Sequence, residues 1–227
     1  MSCLYQIADI QIYSFPFHPI ESNMYVVCCG NDVIVVDPIC DEEAVALLKT
    51  FSIPLRILLT HEHYDHISGV NMLRSMFNCQ IICSDKCADA IETPKKNLSQ
   101  YFDALFCCQD EEIRKTISDM QVQPYSCHAD LSFSTAYILS LNHHQVLLSV
   151  TPGHSKGSSC IAIDRLCLFS GDSVLAAPIV TKLPGGSRSD YYDKTIPYLY
   201  SLNVGITVFP GHGSPAPLNT LLSKICI

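Results

Sequence analysis

With 227 residues, of which 48% are hydrophobic and 16% charged, the chain is too apolar for a disordered protein and long enough to bury a sizeable core, so one domain over residues 1–227 is expected. A formal net charge of −8 argues against a nucleic-acid partner, whose phosphates call for clustered Lys and Arg. No apolar run approaches the roughly 20 residues of a membrane helix, so a membrane is not an expected partner either.

The opening Met1-Ser2-Cys3-Leu4-Tyr5-Gln6-Ile7 has neither a basic flank nor a continuous apolar stretch, does not read as a signal peptide, and leaves the cytoplasm as the expected location. The first forty residues alternate as strands: Ile7, Ile10 and Ile12, then Met24 to Val27, then Val33 to Val36, with Gly30-Asn31-Asp32 as a tight hairpin. Asp41 starts a helix with Ala44, Leu47, Leu48 and Phe51 on one face, ending before Pro54. Leu55 to Thr60 reads as a buried strand, His66 to Phe77 as a second helix and Gln80 to Cys83 as another strand. Residues 84–130 are the least legible stretch, with helical pieces around Lys86 to Ala90 and Glu111 to Ile117. Strands return at Tyr137 to Leu141, Val146 to Val150, Ser159 to Ile163 and Leu166 to Phe169, with His143-His144 and Asp164-Arg165 as turns. A helix over Asp190 to Leu202, interrupted by Pro197, a strand at Ile206 to Phe209 and a helix over Leu218 to Ile225 close the chain. Two β-rich halves, each carrying helices, predict an α/β sandwich of two packed sheets with helices outside.

Thirteen cysteines, odd in number, scattered, partly adjacent and without any C-x-x-C pair, are expected to be reduced thiols serving as small core residues. The chemistry concentrates elsewhere. Thr60-His61-Glu62-His63-Tyr64-Asp65-His66 stands where a strand ends and a helix begins, the place where α/β proteins keep their sites. Imidazoles at alternating positions leaving the strand converge on one ion, while Asp65 and His66 face a second position. The string lacks the second histidine of a helical H-E-x-x-H site, because Asp65 stands there.

The H-x-H-x-D-H string after an apolar strand resembles the signature of the metallo-β-lactamase superfamily. The family's other motifs follow in order from about Asn23 to Gly213: Asp37 in Val35-Val36-Asp37-Pro38, His154 in Thr151-Pro152-Gly153-His154-Ser155, Asp172 in Ser170-Gly171-Asp172 and His212 in Pro210-Gly211-His212-Gly213. The resemblance implies a four-layer αββα sandwich holding two divalent metal ions, zinc first, with iron or manganese as alternatives. It implies that His61, His63 and His154 hold one ion and Asp65, His66 and His212 the other. Asp172 bridges them, Asp65 and Asp172 count as catalytic carboxylates, and Asp37 supports the loop without being a ligand. A hydroxide shared by the two ions would then cleave a thioester, ester or lactone of a small acyl substrate.

Leu183-Pro184-Gly185-Gly186-Ser187 adds a likeness to glyoxalase II-like hydrolases. The chain ends about fifteen residues after His212, without the helical domain that binds glutathione in long members, so a small single-domain member is expected. The rival readings are a mononuclear iron persulfide dioxygenase of the same fold and a catalytically silent metal-binding sensor. His18, His128, His143 and His144 read as turn, surface or core residues, and oligomeric state is not encoded in these patterns.

Overall fold

The structure, a computed structural model, describes residues 2–224. It opens on an antiparallel meander of β1 (Cys3–Ile7), β2 (Ile10–Phe17), β3 (Ser22–Cys29) and β4 (Asp32–Val36). The chain then crosses over through α1 (Glu42–Leu48), whose N-terminus is capped by the Asp41 carboxylate accepting from Ala44 N at 2.8 Å. β5 (Leu55–Leu58) pairs parallel with β4 and leads into α2 (Tyr64–Ile67) and α3 (Val70–Met76). β6 (Cys79–Ser84) adds a further parallel strand, followed by α4 (Asp85–Ile91), α5 (Phe102–Leu105), α6 (Glu111–Asp119) and the parallel edge strand β7 (Leu131–Phe133).

The second sheet starts as a meander of β8 (Ala136–Leu141), β9 (His144–Val150), β10 (Ser159–Ile163) and β11 (Cys167–Gly171). After α7 (Arg188–Asp190), a wide π-type turn over Tyr191–Thr195 and α8 (Ile196–Ser201), β12 (Thr207–Pro210) runs parallel to β11. β13 (Ala216–Pro217) and α9 (Leu218–Leu222) complete the described chain.

Sheet orders are β1-β2-β3-β4-β5-β6-β7 and β13-β12-β11-β10-β9-β8. Three apolar layers weld them into the expected αββα sandwich. Alternation assigns each residue its layer. In β3, Met24, Val26 and Cys28 face α1, α3 and α4, whereas Tyr25, Val27 and Cys29 face the second sheet. Both faces of β3 are covered, which is why it reads as an unbroken run and not as an alternating one. Cys160, Ala162, Leu168 and Val208 form the outer face of the second sheet under Leu199, Leu218 and Leu221.

Two expected helices come out differently. The helix predicted over His66 to Phe77 is two pieces, because Gly69 packs on Ile39: its N–H donates to Pro38 O at 2.9 Å, and a Cβ there would strike the Ile39 carbonyl. The interrupted helix near Pro197 begins at Arg188, and Pro197 sits in the first turn of α8, directly after the π-type turn. Ile225, the expected end of the last helix, lies outside the described residues. No helix among the described residues is long and apolar enough to cross a membrane.

Candidate metal centre

The parallel strands β4, β5, β11 and β12 all point their C-terminal ends to one side, and the loops leaving them meet there. Asp37 follows β4, the His61-to-His66 segment follows β5, Asp172 follows β11, and His212 follows β12. His154 comes from the connection between β9 and β10. All seven residues expected as ligands converge at this end. All but His212 are at most 9% exposed.

They fall into two groups whose donor atoms lie within 4.8 Å of one another: His61, His63 and His154, and Asp65, His66 and His212. Asp172 reaches both, with Oδ2 3.4 Å from His154 Nε2 and 3.6 Å from His212 Nε2. Asp65 Oδ2 lies 3.2 Å from His66 Nε2 and 3.3 Å from His212 Nε2.

The outer ring nitrogens are committed to oxygens. His154 Nδ1 lies 2.8 Å from Val180 O, His212 Nδ1 2.9 Å from Ile20 O, and His66 Nδ1 3.2 Å from Asp37 Oδ2. Thr60 Oγ1 donates to Asp37 Oδ2 at 2.6 Å and so accepts from His61 Nδ1 at 3.0 Å. These partners place protons on Nδ1 and turn Nε2 of all four rings inward, as a lone pair on His61 and His154 and towards the Asp65 carboxylate on His66 and His212. Asp37 also accepts from Thr60 N at 2.7 Å. Asp37 forms a further donor group with His61 and His66, but its contacts tie it to Thr60 and His66 as a brace.

The inward atoms are short of partners. His66 Nε2 and His212 Nε2 face each other at 3.3 Å, and His154 Nε2 faces His63 Nδ1 at 3.0 Å. His61 Nε2, His63 Nε2 and Asp172 Oδ1 are buried with no hydrogen-bond partner. A buried unsatisfied polar atom costs about 1–3 kcal/mol, so three in one cleft mark a place prepared for something else. Donors on an ion with bonds of 2.0–2.1 Å in tetrahedral array stand about 3.3 Å apart, close to the observed spacings. The donor set fits divalent ions.

Electrostatics separates the two groups. Burial, reinforced by neighbouring imidazoles, holds His61 well below the usual histidine range, and burial pushes His63 down to about 3 and lowers His154. In the other group burial acts the same way but is outweighed: Asp172 and Asp65 bring His212 up to about 9, and Asp65 with Asp37 raises His66. Burial works to raise Asp65 and Asp172 too, yet the surrounding imidazoles keep both below the ordinary carboxylate range.

Close backbone approach makes glycine necessary at two points. Gly171 has φ +49° against Thr60, and a Cβ on Gly211 would collide with Asp172 Oδ1. The first sheet braces the His212 loop from β3: Asn23 Nδ2 donates to Gly213 O at 2.8 Å, and Tyr25 Oη donates to Pro210 O at 2.7 Å. Sequence reading passed over Thr60, Ser22 and Asn23, whose roles exist only through contacts between distant segments. It also passed over Leu98, Phe102 and Phe106, which wall a cleft of about 260 Å³ beside His63, Asp65, His154 and Asp172. The four-residue spacing of Phe102 and Phe106 was the one available signal. Glu62 points away from the ions' place, where its Oε2 accepts from Ser155 Oγ at 2.8 Å, and burial raises its carboxyl.

The profile of the Metallo-beta-lactamase superfamily matches residues 19–212, a span containing every residue of both groups. The chain belongs to this superfamily. It is 30% identical over 210 residues to a probable metallo-hydrolase of Streptococcus pyogenes, covering 90% of this chain and 84% of that one. It is also 26% identical over 166 residues to the acyl-coenzyme A thioesterase MBLAC2 of Homo sapiens, covering 70% of this chain but only 56% of the human protein. The crystal structure of the B3 metallo-beta-lactamase BLEG-1 superposes with a TM-score of 0.73 at 26% identity, covering 92% of this chain and 95% of that one. The metallo-beta-lactamase fold is thus established by profile and by shape, and with it membership in a superfamily of metallo-hydrolases.

Proposed function

We propose that the chain hydrolyses an acyl thioester, or a related ester or lactone, at a site for two divalent ions. His61, His63 and His154 would hold one ion, Asp65, His66 and His212 the other, and Asp172 would stand between them, zinc suiting the donors best and iron or manganese also suiting them. The observation that carries this reading is that His61 Nε2, His63 Nε2 and Asp172 Oδ1 are buried without a hydrogen-bond partner among two groups of ligating side chains. Cations would satisfy those atoms, and protons on His66 and His212, held by Asp65 and Asp172, stand in for cations at the second group. When bound, such ions lower the pKa of a water from about 15.7 to near 7 and offset developing negative charge on a carbonyl oxygen.

The chain's own groups do the rest. No Ser, Thr or Cys lines the cleft among the described residues, which favours water as the nucleophile. Asp172 Oδ1, buried and without a partner, and Asp65 are the carboxylates placed to orient that water and accept its proton. Leu98, Phe102 and Leu183 cover the cleft and provide an apolar seat for an acyl chain. Beyond the same loop, Pro184 and Gly185 border a depression of about 510 Å³ flanked by Lys86, Lys95, Lys96 and Lys156. Four of the 14 basic side chains of an acidic protein gather there, which favours a leaving half that carries negative charge.

The test is a panel of acyl thioesters, lactones and β-lactams assayed before and after chelation, with oxygen uptake followed in parallel. Metal-dependent thioester or lactone hydrolysis without oxygen uptake is expected. Oxygen uptake on a persulfide would transfer the fold to oxidative chemistry, and full turnover after complete chelation would end the metal reading.

A further inference from the structure

A second constellation of ligating side chains lies at the opposite end of the sandwich. Ser22 and Asn23, at the start of β3, touch the metal cleft, whereas Cys29 ends the same strand about 23 Å further along. There the β1–β2 turn brings Asp9 and the β8–β9 turn brings His143 and His144 against it. We propose that Asp9, Cys29, His143 and His144 form a separate, structural site for one zinc-like divalent ion, tying three hairpin turns from both sheets together.

The geometry supports four-coordination. One donor atom from each residue lies within 4.8 Å of all the others. Asp9 Oδ1 is 3.0 Å from His144 Nε2, and Asp9 Oδ2 is 3.3 Å from Cys29 Sγ and 3.4 Å from His143 Nε2. Tetrahedral zinc with nitrogen or oxygen at about 2.0–2.1 Å and sulfur at about 2.3 Å sets its donors about 3.3–3.6 Å apart. The separations from Asp9 to the other three residues differ from that by a few tenths of an ångström, within reach of side-chain rotation at exposed Asp9 and His143.

The surrounding contacts are those of a metal-ligating histidine. His144 is 6% exposed, and its Nδ1 lies 2.7 Å from Asp164 Oδ2, which holds a proton on Nδ1 and turns Nε2 to the cluster, where it donates to Asp9 Oδ1. Asp164 is itself held by Gln145 N at 2.9 Å. Asn142 Nδ2 points at Cys29 Sγ from 3.7 Å, a donor that suits a thiolate. No Lys or Arg pairs with Asp9 or Asp164 among the described residues, so two carboxylates there lack a permanent cation. Cys29 Sγ now donates its proton to Asp9 Oδ2. Binding would break that S–H bond and the N–H bond at His144 Nε2, form metal–sulfur and metal–nitrogen bonds in their place, and release both protons to buffer.

Sulfur makes this site separable from the cleft, whose proposed donors are all nitrogen and oxygen. Metal-free full-length protein is titrated with cobalt(II) chloride under reducing, oxygen-free conditions, and the near-ultraviolet thiolate-to-cobalt charge-transfer band is recorded. The parent should develop the band, and Asp172→Ala should keep it. Cys29→Ser should lose it and should bind one zinc fewer per chain than the parent. His143→Ala, an exposed change that leaves the core intact, should weaken cobalt affinity at least tenfold and so reports even if Cys29→Ser fails to fold. A parent without the band, a band equally strong in Cys29→Ser, or unchanged affinity in His143→Ala would overturn the proposal.

Discussion

The two ends of the sandwich carry the same kinds of side chain in opposite states of satisfaction. At the cleft end, His61 Nε2, His63 Nε2 and Asp172 Oδ1 are buried and unpartnered. At the hairpin end, His144 has a carboxylate on each ring nitrogen, and Asp9 remains half exposed, with its side chain 51% accessible. The hairpin cluster is therefore stable as a hydrogen-bonded network that an ion would reinforce. The cleft end leaves three buried polar atoms without a hydrogen-bond partner, a cost that the apolar layers around it must carry until cations arrive. What the inward atoms of a ligating cluster lack, and not its residue types alone, marks it as a place for an ion.

The largest expected break in the comparison is Asp172→Ala. It removes the one carboxylate that reaches both groups at the cleft end, so thioester turnover should fall by orders of magnitude and metal content by elemental analysis should drop, while the thiolate-to-cobalt band of the hairpin site stays unchanged. The apolar core does not include this side chain, and the variant should purify folded, with a lower melting temperature because less metal stabilises the native state.

Next in size is Thr60→Val. It keeps the shape of the side chain but removes the hydroxyl that links His61 Nδ1 to Asp37. Loss of such an outer partner typically weakens metal affinity or activity about 10–100-fold. Competition with a chromophoric chelator measures it, and unchanged affinity would mean that the Asp37 brace does not act on the ion.

Lys95→Ala combined with Lys96→Ala sharpens the reading of the cleft's flank. KM for a thioester with a multiply charged leaving half should rise several-fold at unchanged kcat, with no change for a neutral thioester of the same acyl group. Equal effects on both substrates would detach the lysine depression from recognition.

The smallest expected effect lies away from both ends. Asp130 is paired with Arg74 at 3.0 Å and accepts from Ile81 N at 2.7 Å. Burial works to raise its carboxyl, but Arg74 and the Ile81 N–H outweigh it and the net shift is downward. A lowered folded value gives stability that is present above the unfolded value near 3.9 and lost as pH falls through the folded one. Asp130→Asn should therefore lower the melting temperature by about 1–3 °C at pH 7, a gap that closes below about pH 3.9. A constant gap across that range would assign the effect to packing instead.

Much of this was legible in the chain. Buried parallel strands such as Leu55 to Leu58 read as short apolar runs, and a histidine-rich string directly after one marks a strand-end site whatever the rest of the fold. His154, Asp172 and His212 carry almost no signal singly and became legible only as an ordered set beside glycines. Residues 84–130 stayed obscure because their order depends on contacts with other segments: Asn97 Nδ2 donates to Ile91 O and Tyr125 O, and Tyr64 N donates to Asn97 O. The hairpin cluster was missed for a related reason. His143-His144 has the spacing of a two-residue turn, and its partners Asp9 and Cys29 lie more than a hundred residues away.

The central claim, that the cleft works through two ions, is tested most directly by adding zinc stepwise to metal-free Cys29→Ser protein and following hydrolysis of the best thioester or lactone. The hairpin site is silenced in that background, so every ion counted belongs to the cleft. No turnover without metal and a rise to a plateau at two equivalents are expected. Full activity in the metal-free protein, or a plateau at one equivalent with no second ion bound, would contradict it.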